Sequence, residues 1–241
     1  MAYSANCKIV ISDDVAHLCD NFTAFVLKIL DERGHINICL SGGSTPKILF
    51  DTWADKYKEA LPFHRMRFFW GDERCVEPAD EMSNYGMTQK HLLSKVDIPK
   101  SNIFRILGEN EPAEEAKRYA KLIAQESPIF DLVILGLGED GHTASIFPAE
   151  IAYWHSQELC VVARHPETGM QRISITGKVI NAASHVAFLT TGTSKAQKVK
   201  EIIEMRQKFI GEYPAALVEP RSGSLIWFLD KEAASKLEKQ L

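Results

Sequence analysis

Apolar residues along this chain recur in two alternating periods. Short, almost continuously apolar runs occur at KIVIS (8–12), INICL (36–40), MRFFW (66–70), FDLVIL (130–135), LCVVA (159–163), RISIT (172–176), HVAFLT (185–190) and LIWFL (225–229). Runs without a wet face suit strands covered on both sides, as in a parallel sheet. Between them the apolar period lengthens to that of a helix. Val15, Leu18, Cys19, Phe22, Phe25, Val26, Ile29 and Leu30 form one stripe, with Asp13 or Asp14 placed to cap it and Gly34 to stop it. Further helices are predicted near 46–58, 83–94, 112–126, 177–183, 194–209 and 230–240, and a short one at TASIF (143–147). The order predicts a single α/β domain over 1–241, a Rossmann-like, mostly parallel sheet with helices on both faces. No linker, repeat or composition break divides it.

Ligands of such sheets sit beyond the carboxyl ends of the strands, so the segments following each strand carry the candidate chemistry. SGGSTP (41–46) offers Gly42 and Gly43 for close backbone approach, Ser44 or Thr45 as a cap, and Pro46 for the first helical turn. Free N–H groups there form an anion site. GDER (71–74) brings Asp72 and Arg74 to the strand end, the arginine suited to a bidentate phosphate or carboxylate contact. In TTGTSK (190–195), Gly192 relaxes the turn and Ser194 is placed to cap. Lys195 then lies near a helix start, where a cation opposes the dipole unless an anion is close.

LGLGEDGHTASIFP (135–148) contains Gly136, Gly138 and Gly141 in the spacing of a dinucleotide-binding turn. Such a turn needs a sustained helix after its third glycine and an early place in the domain. Pro148 cuts the segment short, and the motif falls past the middle of the chain. The reading adopted is a tight glycine turn displaying Asp140 and His142. An imidazole titrating near neutrality is suited to general-base work, and Asp140 to orienting it.

Composition narrows the function classes. Of 241 residues 45% are hydrophobic and 25% charged, and the net charge is −4, which lacks the basic excess of a nucleic-acid binder. An acidic balance does not attract phosphorylated ligands, so any anion site must be local. Five scattered cysteines without a C-x-x-C pair argue against a disulfide framework or zinc site and for a reducing cytoplasm. MAYSANCKIV lacks the pattern of a signal peptide, and no apolar run reaches the roughly 18 residues of a membrane span. No membrane or nucleic-acid partner is expected; the expected state is a monomer or small homo-oligomer.

Taken together, LSGGSTP (40–46), WGDERCV (70–76) with SNYGM (83–87), LGLGEDGHTASIFP (135–148), QRISIT (171–176) with NAAS (181–184), TTGTSKA (190–196) and SGSLIWFLD (222–230) resemble the 6-phosphogluconolactonase family. Its superfamily also holds glucosamine-6-phosphate isomerase. The resemblance spans essentially the whole chain in order. It implies a modified Rossmann-like fold and hydrolysis of 6-phosphoglucono-δ-lactone to 6-phosphogluconate, the second step of the oxidative pentose phosphate pathway. It implies His142 as the base that activates water. It also implies Gly43, Ser44 and Thr45, with Arg74, Arg172 and Lys195, as phosphate and sugar contacts, and Asp72 as an acidic position shared with the isomerases. No cofactor and no metal are expected, since a lactone is already a reactive ester. The isomerase is the alternative enzyme, but its histidine motif carries a glutamate just before the proline, where this chain has Phe147. A non-catalytic phosphosugar-binding module is the alternative outside enzymes.

Overall fold

A computed structural model describes residues 7–238. Its order is β1 (Cys7–Ser12), α1 (Val15–Arg33), β2 (Ile36–Leu40), α2 (Ser44–Asp55), β3 (Met66–Trp70), β4 (Asp72–Arg74), α3 (Asn84–Thr88), β5 (Ile103–Phe104) and α4 (Pro112–Glu126). There follow β6 (Leu132–Leu135), β7 (Cys160–Arg164), β8 (Gln171–Ile175), α5 (Gly177–Ile180), β9 (His185–Thr190), α6 (Ala196–Glu204), α7 (Arg206–Phe209) and β10 (Ser224–Asp230).

Seven strands form one sheet in the order β1-β10-β9-β6-β2-β3-β5, with every pairing parallel. The apolar stripe of α1 covers it. Leu18, Cys19, Phe22, Val26, Ile29 and Leu30 are buried; Asp14 caps the helix by accepting the His17 N–H, and Gly34 ends it at φ 81°. Phe22 meets Phe228 of β10 edge-on and stacks on Trp53 of α2, whose indole N–H donates to Thr23 Oγ1 at 2.9 Å. Across the sheet Phe188 and Trp227 stack at 3.9 Å. Such pairs add about 1 kcal/mol each to simple burial.

The pattern assigns all the strands to one sheet, whereas β7 and β8 leave it. They pair antiparallel with each other and β8 pairs with β4, giving a separate sheet in the order β4-β8-β7. The reason is connection length. Only residues 165–170 separate β7 from β8, with Gly169 at φ 70°, and a parallel pairing needs a crossover of about a dozen residues. The strand β4 and the two-residue β5 are too short to leave a period in the sequence.

Several helical expectations are corrected. TASIF is a tight turn closed by a Thr143–Ile146 bridge, with a 3₁₀ helix from Pro148 to His155 beyond it. Residues 231–238 form turns instead of a helix, and positions 239–240 lie outside the described residues. The helix read over 194–209 is split into a 3₁₀ turn, α6 and α7. Neither Ser44, Thr45 nor Ser194 caps a helix through its side chain. The residue preceding α2 is Gly43, at φ 107°, so the first N–H groups of α2 are left without a side-chain partner.

Candidate active site

The strand order places the crevice. From β2 the chain steps outward to β3 and β5, then returns through β6 and continues the other way to β9 and β10. The direction reverses between β2 and β6, where a parallel sheet opens for ligands. A cleft of about 240 Å³ lies there. Gly43 after β2, with Ser44 and Thr45 of the first turn of α2, lines one part; the loop after β6 supplies His142; the segment after β9 supplies Lys195. Asp72 and Arg74 of β4 and Arg172 of β8 close the remaining side. Asp140 alone of the sequence-selected residues does not line the cleft; it stands behind His142.

The loop after β6 is held by its own backbone. Gly138 N–H donates to His142 O at 2.9 Å and Gly141 N–H to Gly138 O at 3.1 Å. Thr143 Oγ1 donates to Gly136 O at 2.9 Å. Gly141 has φ 88°, and a Cβ there would come within 2.6 Å of the Tyr213 ring, so packing and conformation both require glycine. The glycines therefore serve a self-closed turn, not the start of a dinucleotide-binding helix.

That turn folds Asp140 onto His142. Asp140 Oδ1 accepts the His142 main-chain N–H at 3.0 Å and lies 2.6 Å from His142 Nδ1. A carboxylate can only accept, so Nδ1 carries the ring proton and Nε2 keeps its lone pair. Partial burial pushes the Asp140 carboxyl up, but the hydrogen bond and charge of His142 outweigh it and hold the pKa at about 2. The imidazole packs on Phe147, 4.7 Å between ring centres.

Depression of the Asp140 pKa from 3.8 to about 2 has a definite sign. The folded state holds the deprotonated form better than the unfolded chain does, so this contribution to stability is complete above about pH 4 and is lost as the pH falls toward about 2. Acid titration of stability should show a component in that window which Asp140→Asn lacks; identical acid limbs would refute the assignment.

Opposite His142, antiparallel pairing sets Arg74 directly across from Arg172. Arg74 Nη1 donates to Met82 O, and Arg172 lies over the Phe147 ring, 5.5 Å from its centre. Both Nε atoms are buried without a partner, and no ion pair joins either guanidinium to a carboxylate among the described residues. Burial first, and then the charge of Arg74, push Arg172 below the usual arginine range. Facing guanidiniums repel, and the nearby Asp72 and Glu73 carboxylates partly offset that repulsion at Arg172. Lys195 reaches the same cleft, 3.7 Å from Glu139 on the loop after β6.

Sequence reading missed three contributors. Asn84 lines the cleft, its amide donating to Asp72 O at 2.9 Å, and a Cβ on Gly42 would overlap that amide. Glu73, 2% exposed, accepts the N–H groups of Arg74, Asn84 and Tyr85 and the Ser83 hydroxyl, tying β4 to the start of α3. Burial lifts its carboxyl above the usual range against the pull of those N–H groups. Ser145 sits beneath the cleft floor, bonded to Asp72. The run SNYGM carried a signal for Asn84; Glu73 and Ser145 show their partners only in three dimensions.

A parallel α/β sheet with a carboxylate-backed imidazole and a facing pair of arginines at its switch point is the framework of a small-molecule enzyme, not of a scaffold. Residues 12–227 match the family of glucosamine-6-phosphate isomerases/6-phosphogluconolactonase, and the chain belongs to that family. It is 45% identical to a 6-phosphogluconolactonase of Haemophilus influenzae over 205 residues, covering 84% of this chain and 88% of that one. The solved devB protein superposes with a TM-score of 0.90 at 40% identity, over 95% of this chain and 99% of that one. A Trypanosoma brucei 6-phosphogluconolactonase does so with 0.85 at 27% identity, over 98% and 100%.

Proposed function

We propose that this chain is a 6-phosphogluconolactonase, hydrolysing 6-phospho-D-glucono-1,5-lactone to 6-phospho-D-gluconate in the oxidative pentose phosphate pathway. The observation that carries the mechanism is the placement of His142, its Nδ1 engaged by Asp140, on the same cleft as Arg74, Arg172 and Lys195. The 6-phosphate is held by these cations and by the first N–H groups of α2 at Gly43, Ser44 and Thr45. Anchoring a remote dianion uses its binding energy to orient the lactone carbonyl.

Neutral His142 takes a proton from water at Nε2 as the water oxygen attacks C1. The C1–ring-oxygen bond of the tetrahedral intermediate then breaks, and the imidazolium returns the proton to the departing ring oxygen. Asp140, ionised throughout, keeps the tautomer and steadies the imidazolium. The isomerase reading is disfavoured by Phe147: 1% exposed and packed against His142, it places an apolar ring where isomerase chemistry needs a carboxylate. A reducing cytoplasm suits five free cysteines.

Freshly generated lactone tests the reading. The purified protein should raise its hydrolysis far above the spontaneous rate, and Lys195→Ala should raise KM by about 10-fold with kcat nearly kept, the loss of one charge-assisted contact. Hydrolysis at the spontaneous rate would sink the assignment.

A further inference from the structure

One side of the cleft holds two largely buried groups of opposite charge that do not pair. Asp72 is 5% exposed and Arg172 7%. The register sets Asp72 opposite Ser174 and Arg74 opposite Arg172, so Asp72 and Arg172 are diagonal neighbours on one face of an antiparallel pair. Long side chains reach each other across that diagonal, yet no ion pair forms. The Ser145 hydroxyl stands between them. It donates to Asp72 Oδ2 at 2.5 Å and faces Arg172 Nη1 at 3.4 Å.

Ser145 is held there from two sides. Its N–H donates to Ser174 Oγ at 3.1 Å, and its turn is closed by the Thr143–Ile146 bridge. Ala144, just before it, has φ 50°, a conformation no other non-glycine among the described residues adopts. A left-handed alanine costs roughly 1 kcal/mol or more and persists only where the surroundings enforce it. The bridge and the Ser174 bond do so, and the strained turn delivers the hydroxyl between carboxylate and guanidinium.

We propose that Ser145 is a positioning residue: its hydroxyl keeps Asp72 from pairing with Arg172, leaving the guanidinium free for the substrate's anionic group, while Asp72 Oδ1 is met, among the described residues, only by the Asn84 amide at 3.4 Å. A direct buried pair would neutralise the arginine and retract it from its anion. The inference rests on reading Arg74 and Arg172 as the anion site. It adds that their availability depends on a side chain that touches no ligand.

Inorganic phosphate is the probe, its affinity measured by calorimetry on the full chain, alongside lactone kinetics. Ser145→Ala should weaken phosphate about 10-fold and raise KM by a similar factor while kcat changes little, the scale of a hydrogen bond to a charged group. In an Asp72→Asn background, with no carboxylate to capture Arg172, adding Ser145→Ala should leave phosphate affinity unchanged. If Ser145→Ala does not fold, Ser145→Cys keeps the volume with a weaker donor and should shift affinity the same way. Wild-type affinity in Ser145→Ala, or an equal loss in both backgrounds, overturns the proposal. A wild-type protein that binds no phosphate removes the anion site and this inference together, whereas binding by wild type with an unaffected Ser145→Ala removes the inference alone.

Discussion

His142→Ala should lower kcat by about 10²–10⁴-fold while 6-phosphogluconate still binds, the contribution of a positioned general base. The separation follows from geometry. Nε2 of His142 is the ring nitrogen left free by Asp140, whereas Arg74, Arg172, Lys195 and the start of α2 reach the cleft from other elements. Removing the imidazole leaves the anion contacts standing, so turnover falls and product affinity does not. Turnover within a factor of a few of wild type would show that water is activated elsewhere, and binding lost in parallel with kcat would show that the ring holds substrate instead of acting on water.

Gly138→Ala should cost about 10²-fold in kcat/KM, the scale of a displacement near 1 Å at a reacting group. A Cβ at this position would overlap the His142 imidazole and come within 2.5 Å of Asp140 Oδ1. Neither can yield cheaply. His142 is backed by Phe147, and Asp140 is fixed through both the main chain and the ring of His142. The methyl group must therefore part the carboxylate from the imidazole or distort the turn. Gly136→Ala is the control: the nearest atom to a Cβ there is Ser41 Oγ at 3.8 Å, an ordinary contact. Equal activity of the Gly138 and Gly136 variants would show that the dyad tolerates repositioning.

These two expectations differ in how far the sequence alone supports them. His142 stands out in the chain as an imidazole in a glycine turn after an apolar strand, and Asp140 beside it is an evident partner. The role of Gly138 is not evident: its spacing mimics a dinucleotide turn, and only the folded loop shows that the glycine clears room for a side chain two residues on. The strand ends behaved similarly. Arg74 and Arg172 are individually visible as basic residues near apolar runs, but their mutual opposition arises from the β4–β8 pairing. That pairing comes from a hairpin which the pattern places in the main sheet.

What the chain determined by itself was whatever depends on neighbours in sequence: the buried stripe of α1 and its two caps, the runs that become strands, and the loops that follow them. Periodicity and turn chemistry act over a few residues and are carried there. What tertiary structure alone decided was pairing across long separations. Asp72 and Ser145 meet through a hydrogen bond 73 positions apart, and Thr45 and Thr191 through one spanning 146. The departure of β7 and β8 from the main sheet is of the same kind. A one-dimensional pattern records whether a residue is buried and how its backbone bends, but not which distant group shares its cavity, and the charge balance of the cleft is set by those distant pairs.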